Sequence, residues 1–239
     1  MTKIIFLDAA GTLFDVRGSV GEVYGQLAQK FGVTVNSEEL NAAFYQSFAS
    51  ATPMTFPGIE AAKITQLEFE WWLEVSAKSF QIAGILHQFS DFPKFFAKLY
   101  DHFATAEPWF VYPDVFPALN KWQKQGIELA VVSNFDSRLY PVLKALNLAE
   151  YFRSVTISTE VGAAKPQPEI FTAALQKHNC TAENVLHIGD SFKADYCGAK
   201  SAGLKAIWLN RQQEKVESGK LPLTETKLEQ CSSLDYLTF

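Results

Sequence analysis

The chain has 239 residues, 48% hydrophobic and 20% charged, with a formal net charge of −5. That length holds one large domain, or a core with a smaller insertion, and ample apolar material for a buried interior. The mild acidity without a basic stripe excludes a nucleic-acid partner from the expected classes, and no apolar run approaches the roughly 20 residues of a membrane span.

The first apolar run, Ile4-Ile5-Phe6-Leu7, reads as a buried strand that ends in Asp8 and turns through Ala9-Ala10-Gly11-Thr12-Leu13. In open α/β sheets ligands bind at the carboxyl ends of strands, so an acid there is placed for chemistry rather than packing. From about residue 16 to residue 112 the period becomes helical. Val20, Val23, Tyr24, Leu27, Ala28 and Phe31 recur at spacings of three and four, and Gly32 supplies a stop. Asn36-Ser37-Glu38-Glu39 is a helix start with Ser37 as the expected cap. Residues 64–80, which carry Trp71 and Trp72, and residues 92–103 give two more helices. Helices without intervening strands bundle among themselves, and their aromatics read as packing rather than as a ligand cage. The loop over residues 51–58, with Pro53 and Pro57, breaks the bundle and is expected to face the site.

From residue 113 onward strands and helices alternate. Helices are expected at 113–125, 137–146 and 168–178, with another beginning near Ala194. Strands are expected at 127–132, 155–158, 185–188 and 204–209. The pattern predicts an α/β fold: a Rossmann-like parallel sheet with helices on both faces, plus an inserted all-helical cap. Residues 1–15 and 113–239 form the expected core and residues 16–112 the cap. The polar tail after Arg211 ends in Leu228, Leu234, Tyr236 and Leu237, which suggest a last docked helix. The N-terminus has no charged segment or cleavage site of a signal peptide, and Cys180, Cys197 and Cys231 have no metal-ligand spacing. A cytoplasmic protein with reduced, packed thiols and no membrane association is the expectation. His187, inside a strand, reads as core.

Several strand ends carry polar residues. Asp8, Ser133-Asn134 and Gly189-Asp190 each follow a strand, and Lys165 follows another in Gly162-Ala163-Ala164-Lys165-Pro166. In a parallel sheet these ends share one edge, so residues far apart in sequence converge. Acids, a hydroxyl and a lysine together can hold a divalent cation and a phosphate: Mg²⁺ takes carboxylate oxygens, Ser133 reaches phosphate oxygens, and Lys165 neutralises charge. With no other nucleophile in view, Asp8 is the candidate to attack phosphorus.

These motifs, in this order, resemble those of the haloacid dehalogenase-like hydrolase superfamily, in the branch with a helical cap after the first strand. Asp8 matches the nucleophile and Ser133 the phosphate-binding residue. Lys165 matches the third motif, and Asp190 with Asp195 in Gly189-Asp190-Ser191-Phe192-Lys193-Ala194-Asp195 matches the acidic fourth. Val20-Gly21-Glu22-Val23-Tyr24 and Trp71-Trp72-Leu73-Glu74-Val75 further resemble the rhythmically expressed gene 2-like proteins. The resemblance implies a Mg²⁺-dependent hydrolase of a small phosphorylated metabolite. Asp8 and Lys165 would be catalytic, and Ser133, Asn134 and Lys165 would bind phosphate. Asp8, the carbonyl of Ala10, Asp190 and Asp195 would hold the metal, Asp195 directly or through water.

Ala10 departs from the pattern. Members with an acid there use it to protonate the leaving group and then to activate water, help typically worth about 10²–10⁴-fold. Asp15 is the nearest spare acid. Three alternatives follow from the departure. Phosphonoacetaldehyde hydrolases also carry alanine at this place and use a cap lysine as a Schiff base, for which Lys63 is the candidate. Haloacid dehalogenases lack the acid too, but work without metal and without two acids like Asp190 and Asp195. A non-catalytic phosphate or metabolite binder is the third.

Overall fold

A computed structural model describes residues 4–211 and 229–237. β1 (Ile4–Leu7) turns into β2 (Phe14–Val16). Four helices follow, α1 (Val20–Gln29), α2 (Ser37–Ser50), α3 (Ala61–Ile82) and α4 (Phe92–His102), and β3 (Trp109–Val111) returns antiparallel to β2. Then come α5 (Val115–Lys124), β4 (Glu128–Ser133), α6 (Leu139–Ala145), β5 (Ser154–Ile157), the short α7 (Ser158–Val161), α8 (Pro168–His178) and β6 (Val185–Gly189). A π-helical turn, Phe192–Cys197, runs into α9 (Gly198–Ser201), which is followed by β7 (Lys205–Leu209) and β8 (Gln230–Cys231).

Six strands form one parallel sheet in the order β5–β4–β1–β6–β7–β8. Alternate residues of each central strand face opposite layers. Ile5, Leu7, Val131 and Ile188 pack with Leu119 and Trp122 of α5 and Val142 of α6. Ile4, Phe6 and Val132 pack with Ile170 and Phe171 of α8 and Ala199 of α9. With both faces covered, β1 is apolar throughout, as a buried parallel strand must be. The chain leaves β1 toward the α5 face and leaves β6 toward the α9 face. These neighbouring strands therefore diverge at their carboxyl ends and open a crevice there.

The helical stretch has its own interior, in which Tyr24 meets Phe44 edge to face and stacks on Phe80, and Phe80 meets Phe95 edge to face. Among the described residues no helix is long and apolar enough to cross a membrane.

Several local expectations shift. The cap of α2 is Asn36, whose side chain accepts from the Glu38 and Glu39 amides at 2.9 and 3.2 Å, rather than Ser37. The β2–β3 ribbon, which pairs Asp15 with Phe110, was not expected, because three-residue strands are too short to show a period. It adds strand residues at both ends of the stretch read as helical. α5 begins at Val115, because Asp114 turns its carboxylate to Arg211 at 3.0 Å and to the Leu234 amide at 2.8 Å. Among the described residues of the tail, 229–237, the chain forms β8 and a 3₁₀ turn, Leu234–Tyr236, rather than an α-helix, and Leu228 lies outside the described residues.

A buried acid joins the helices to the sheet edge. Glu68 of α3 is fully buried and accepts from the Ser137 amide at 3.0 Å, from the Ser137 hydroxyl, and from Thr159 Oγ1 at 2.6 Å. Asp136, in the same loop, accepts from Trp72 Nε1 at 2.6 Å and pairs with Arg138 at 2.6 Å. Buried donors left without acceptors are costly, so Glu68→Ala lowers the unfolding free energy in urea titrations by about 2–4 kcal/mol. Glu68→Gln keeps an acceptor for the amide and loses less.

Candidate active site

The sheet order places Asp8 at the end of the central strand, next to the ends of β4 and β6. Its amide donates to the Ile188 carbonyl at 3.0 Å, which fixes the residue on the β6 side of the crevice. Lys165 comes from the loop between α7 and α8. Asn134, just past β4, clamps its backbone: Lys165 N donates to Asn134 Oδ1 at 2.7 Å, and Asn134 Nδ2 donates to the Lys165 carbonyl at 2.8 Å. The lysine side chain then runs inward, and its Nζ meets Asp8 Oδ1 at 2.7 Å, Asp195 Oδ1 at 2.6 Å and the Val132 carbonyl at 2.9 Å.

Asp195 lies on the π-helical turn, fully buried beneath the end of β6. Only glycine at position 189 permits this, since a Cβ there would fall 2.1 Å from Asp195 Cγ. Asp195 Oδ2 accepts from the Ser191 amide at 2.9 Å, and Oδ1 takes His187 Nε2 at 2.8 Å besides Lys165. Asp190 sits at the open mouth, where Trp208 Nε1 donates to its carbonyl at 2.8 Å and Thr12 Oγ1 reaches its carboxylate at 3.4 Å. Gly11 turns the chain past it with φ +82°, and any side chain at Gly11 would strike the Asp190 carboxylate, 2.5 Å from the position of a Cβ.

The electrostatics follow from this crowding. Burial works against the Lys165 ammonium, but Asp195 and Asp8 beside it keep its pKa above the ordinary lysine value. Burial also opposes ionisation of Asp195, yet Lys165 and the His187 hydrogen bond outweigh it and hold the carboxyl well below the usual range. Burial pushes the His187 imidazole down, so it is neutral and donates from Nε2 to the ionised Asp195. Packing by protein atoms, then the charges of Asp8 and Asp195, push Asp190 up to about 7, although the residue still faces solvent. Carboxylate oxygens of Asp8, Asp190 and Asp195 all lie within 4.8 Å of one another, and with all three ionised one lysine leaves them two negative charges in excess. An all-oxygen acidic cluster of this kind suits a hard divalent cation, which would cancel that excess.

The structure brings Asp8, Lys165, Asp190 and Asp195 together and places Ala10, Ser133 and Asn134 around them. Ser133 is buried at the end of β4, opposite Ile157. Asn134 Oδ1 and one of its amide hydrogens are engaged by Lys165, leaving one N–H. His187, expected as plain core, also orients Asp195, a part with no sequence signal beyond a polar residue in an apolar strand. Cys197 is exposed rather than packed. Asp15 is tied into the ribbon: Oδ1 accepts from the Val16 amide at 2.7 Å and Oδ2 from Tyr112 Oη at 2.9 Å. Lys63 lies on the surface in the first turn of α3, 3.1 Å from Glu60.

Between the helices and the sheet edge lies a cavity of about 720 Å³, with Ala10, Asn134 and Lys165 on its floor. Tyr24, Phe44, Phe48, Trp71 and Trp72 line it, as do residues 51–55 of the connecting loop. Aromatics read as packing thus do two jobs: Phe80 and Phe95 fill the helical interior, while Phe48 and the tryptophans wall the chamber.

The profile of the haloacid dehalogenase-like hydrolases matches residues 2–203. "Haloacid dehalogenase-like hydrolase domain-containing protein 3" of Xenopus laevis is 34% identical over 209 residues, covering 87% of this chain and 84% of that protein. "Rhythmically expressed gene 2 protein" of Drosophila melanogaster is 30% identical over 212 residues, covering 84% and 80%. Among solved structures, the L-2-haloacid dehalogenase of Xanthobacter autotrophicus superposes with a TM-score of 0.69 at 19% identity, over 98% of this chain and 96% of that one, a likeness of fold alone. With an ordered set of motif residues gathered on one sheet edge and a match over most of its length, the chain belongs to the haloacid dehalogenase-like hydrolases.

Proposed function

We propose that the protein is a Mg²⁺-dependent hydrolase of a small phosphorylated metabolite, with residues 1–15 and 113–239 as its core and residues 16–112 as a cap that shelters the reaction. The observation that carries this reading is the meeting of Asp8, Lys165, Asp190 and Asp195 at one strand edge, a constellation built for an anion and a cation together.

In this reading Asp8 is the nucleophile, and the Asp8 carboxylate, the Ala10 carbonyl and Asp190 would hold Mg²⁺, with Asp195 doing so directly or through water. Bound there, the cation would neutralise the phosphoryl oxygens and lower the repulsion between phosphate and carboxylates. Lys165 shields the approach of the anion to Asp8, and Ser133 with the free Asn134 N–H receives phosphoryl oxygens. Asp195, fixed by Lys165, His187 and the Ser191 amide, keeps Lys165 aimed and closes the cation site from beneath. Attack by Asp8 on phosphorus breaks the ester P–O bond, releases the alcohol and gives an aspartyl phosphate, whose P–O(Asp8) bond water then cleaves to release phosphate. Ala10 supplies no acid to the first half and no base to the second, and the tethered carboxylate of Asp15 does not replace it. That gap favours a second reading, a phosphate or metabolite binder that no longer turns over.

A phosphate-release panel with Mg²⁺ and with chelator separates the two. The hydrolase loses release on chelation, and Asp8→Asn lowers it by at least about 10³-fold. Binding of phosphate compounds with no release from any of them selects the binder. A thermal-shift experiment tests the cation: Mg²⁺ at a hundred times its dissociation constant raises Tm by about 5–10 °C in the wild type. Asp190→Asn shows a much smaller rise, and equal shifts in both proteins remove Asp190 from the site.

A further inference from the structure

Resting on the hydrolase reading, we infer that the substrate class is a phosphate monoester of an aromatic hydroxyl compound: an aryl phosphate whose ring occupies the chamber above Ala10. Two independent observations point to it.

The first is the chamber itself. Tyr24, Phe44, Phe48, Trp71 and Trp72 present ring faces and edges around about 720 Å³, which admits a bicyclic ring with room to spare. The cations in its lining, among the described residues, are Arg138 and Lys165, and each is already paired. Arg138 forks onto Asp136 at 2.8 and 2.6 Å with its guanidinium carbon 3.9 Å above the Tyr100 ring, and Lys165 lies between Asp8 and Asp195. A second phosphate or a carboxylate on the substrate meets no free positive charge there. Polar groups such as Asp15, Thr52 and Gln167 make up the smaller part of the lining, so most hydroxyls of a sugar would be stripped of water against apolar surface, at a cost. A flat aromatic group gains on both counts.

The second observation is Ala10. The residue lines the chamber floor, and its methyl group can donate no proton to a departing oxygen. An alkyl alkoxide, with a conjugate acid near the 15.7 of water, needs that proton as it leaves. A phenol has a pKa of about 10 and leaves as its anion without one. The ring that fits the walls is also the leaving group that tolerates the missing acid. In the first step an Asp8 oxygen bonds to phosphorus as the P–O(aryl) bond breaks. The aryloxide departs with that electron pair and takes a proton from water. In the second, water bonds to phosphorus, the P–O(Asp8) bond breaks, and phosphate leaves while the surplus proton passes to solvent. The sum is ester plus water to phenol plus phosphate.

The test measures kcat/KM with Mg²⁺ for 1-naphthyl phosphate, glucose 6-phosphate and acetyl phosphate, the last having a good leaving group too small to fill the chamber. We expect 1-naphthyl phosphate to exceed glucose 6-phosphate by at least about 100-fold. Ala10→Asp narrows that ratio by about tenfold or more by raising the sugar phosphate. Phe48→Ala lowers 1-naphthyl phosphate about tenfold further than acetyl phosphate. Comparable values for naphthyl and sugar phosphates in the wild type, or a preference that neither substitution moves, overturn the aryl assignment while acetyl phosphate turnover leaves the hydrolase reading standing. No release even from acetyl phosphate overturns that reading and the substrate class with it.

Discussion

The ammonium of Lys165, buried between Asp8 and Asp195, is the contact on which the rest of the site depends. Three carboxylates within 4.8 Å of one another would not share a partly buried pocket without a cation among them. The surrounding structure exists to deliver that charge. Asn134 clamps the lysine backbone, Gly189 leaves room for Asp195 beneath the strand end, and the π-helical turn swings Asp195 back under β6, where His187 and the Ser191 amide complete its hydrogen bonds. π-helical turns are uncommon and cluster at functional sites, and here the widened turn carries a buried carboxylate that a regular helix start would set differently.

Much of this was legible in the sequence for a simple physical reason. Parallel strands buried on both faces are runs such as Ile4–Leu7, and a polar residue at the end of such a run stands out against it. Asp8, Ser133 and Asp190 therefore announced themselves, and the alternation of elements gave the sheet; Lys165, beyond α7 rather than at a strand end, stood out only as part of the ordered motif set. Less legible were features fixed by packing at a distance. His187 looks like any histidine in an apolar strand until Asp195 is seen beside it. Glu68 looks like a solvated helix residue until the loop after β4 folds onto it. The β2–β3 ribbon is too short for periodicity, and the choice of Asn36 over Ser37 as a cap turns on one residue of chain path.

The aromatic residues of the helical stretch show where a period runs out as evidence. Spacings of three and four say which side chains face inward, but not whether the inward face meets another helix or a void. Phe80 and Phe95 meet helices, while Phe48 and Trp72 meet the chamber. The distinction is set by how far the helices stand from the sheet edge, and the hydrogen bonds of Glu68 and Asp136 to both sides fix that distance.

The methyl group at position 10 makes the two halves of the proposed cycle unequal. A good leaving group can relieve the first half of its need for an acid, but no choice of substrate relieves the second, because every substrate yields the same covalent adduct. Water would have to attack that adduct unaided, and its lifetime would set the pace whatever compound had delivered the phosphoryl group. Such a chain would spend most of each turnover charged, closer to a slow timer than to a fast scavenger.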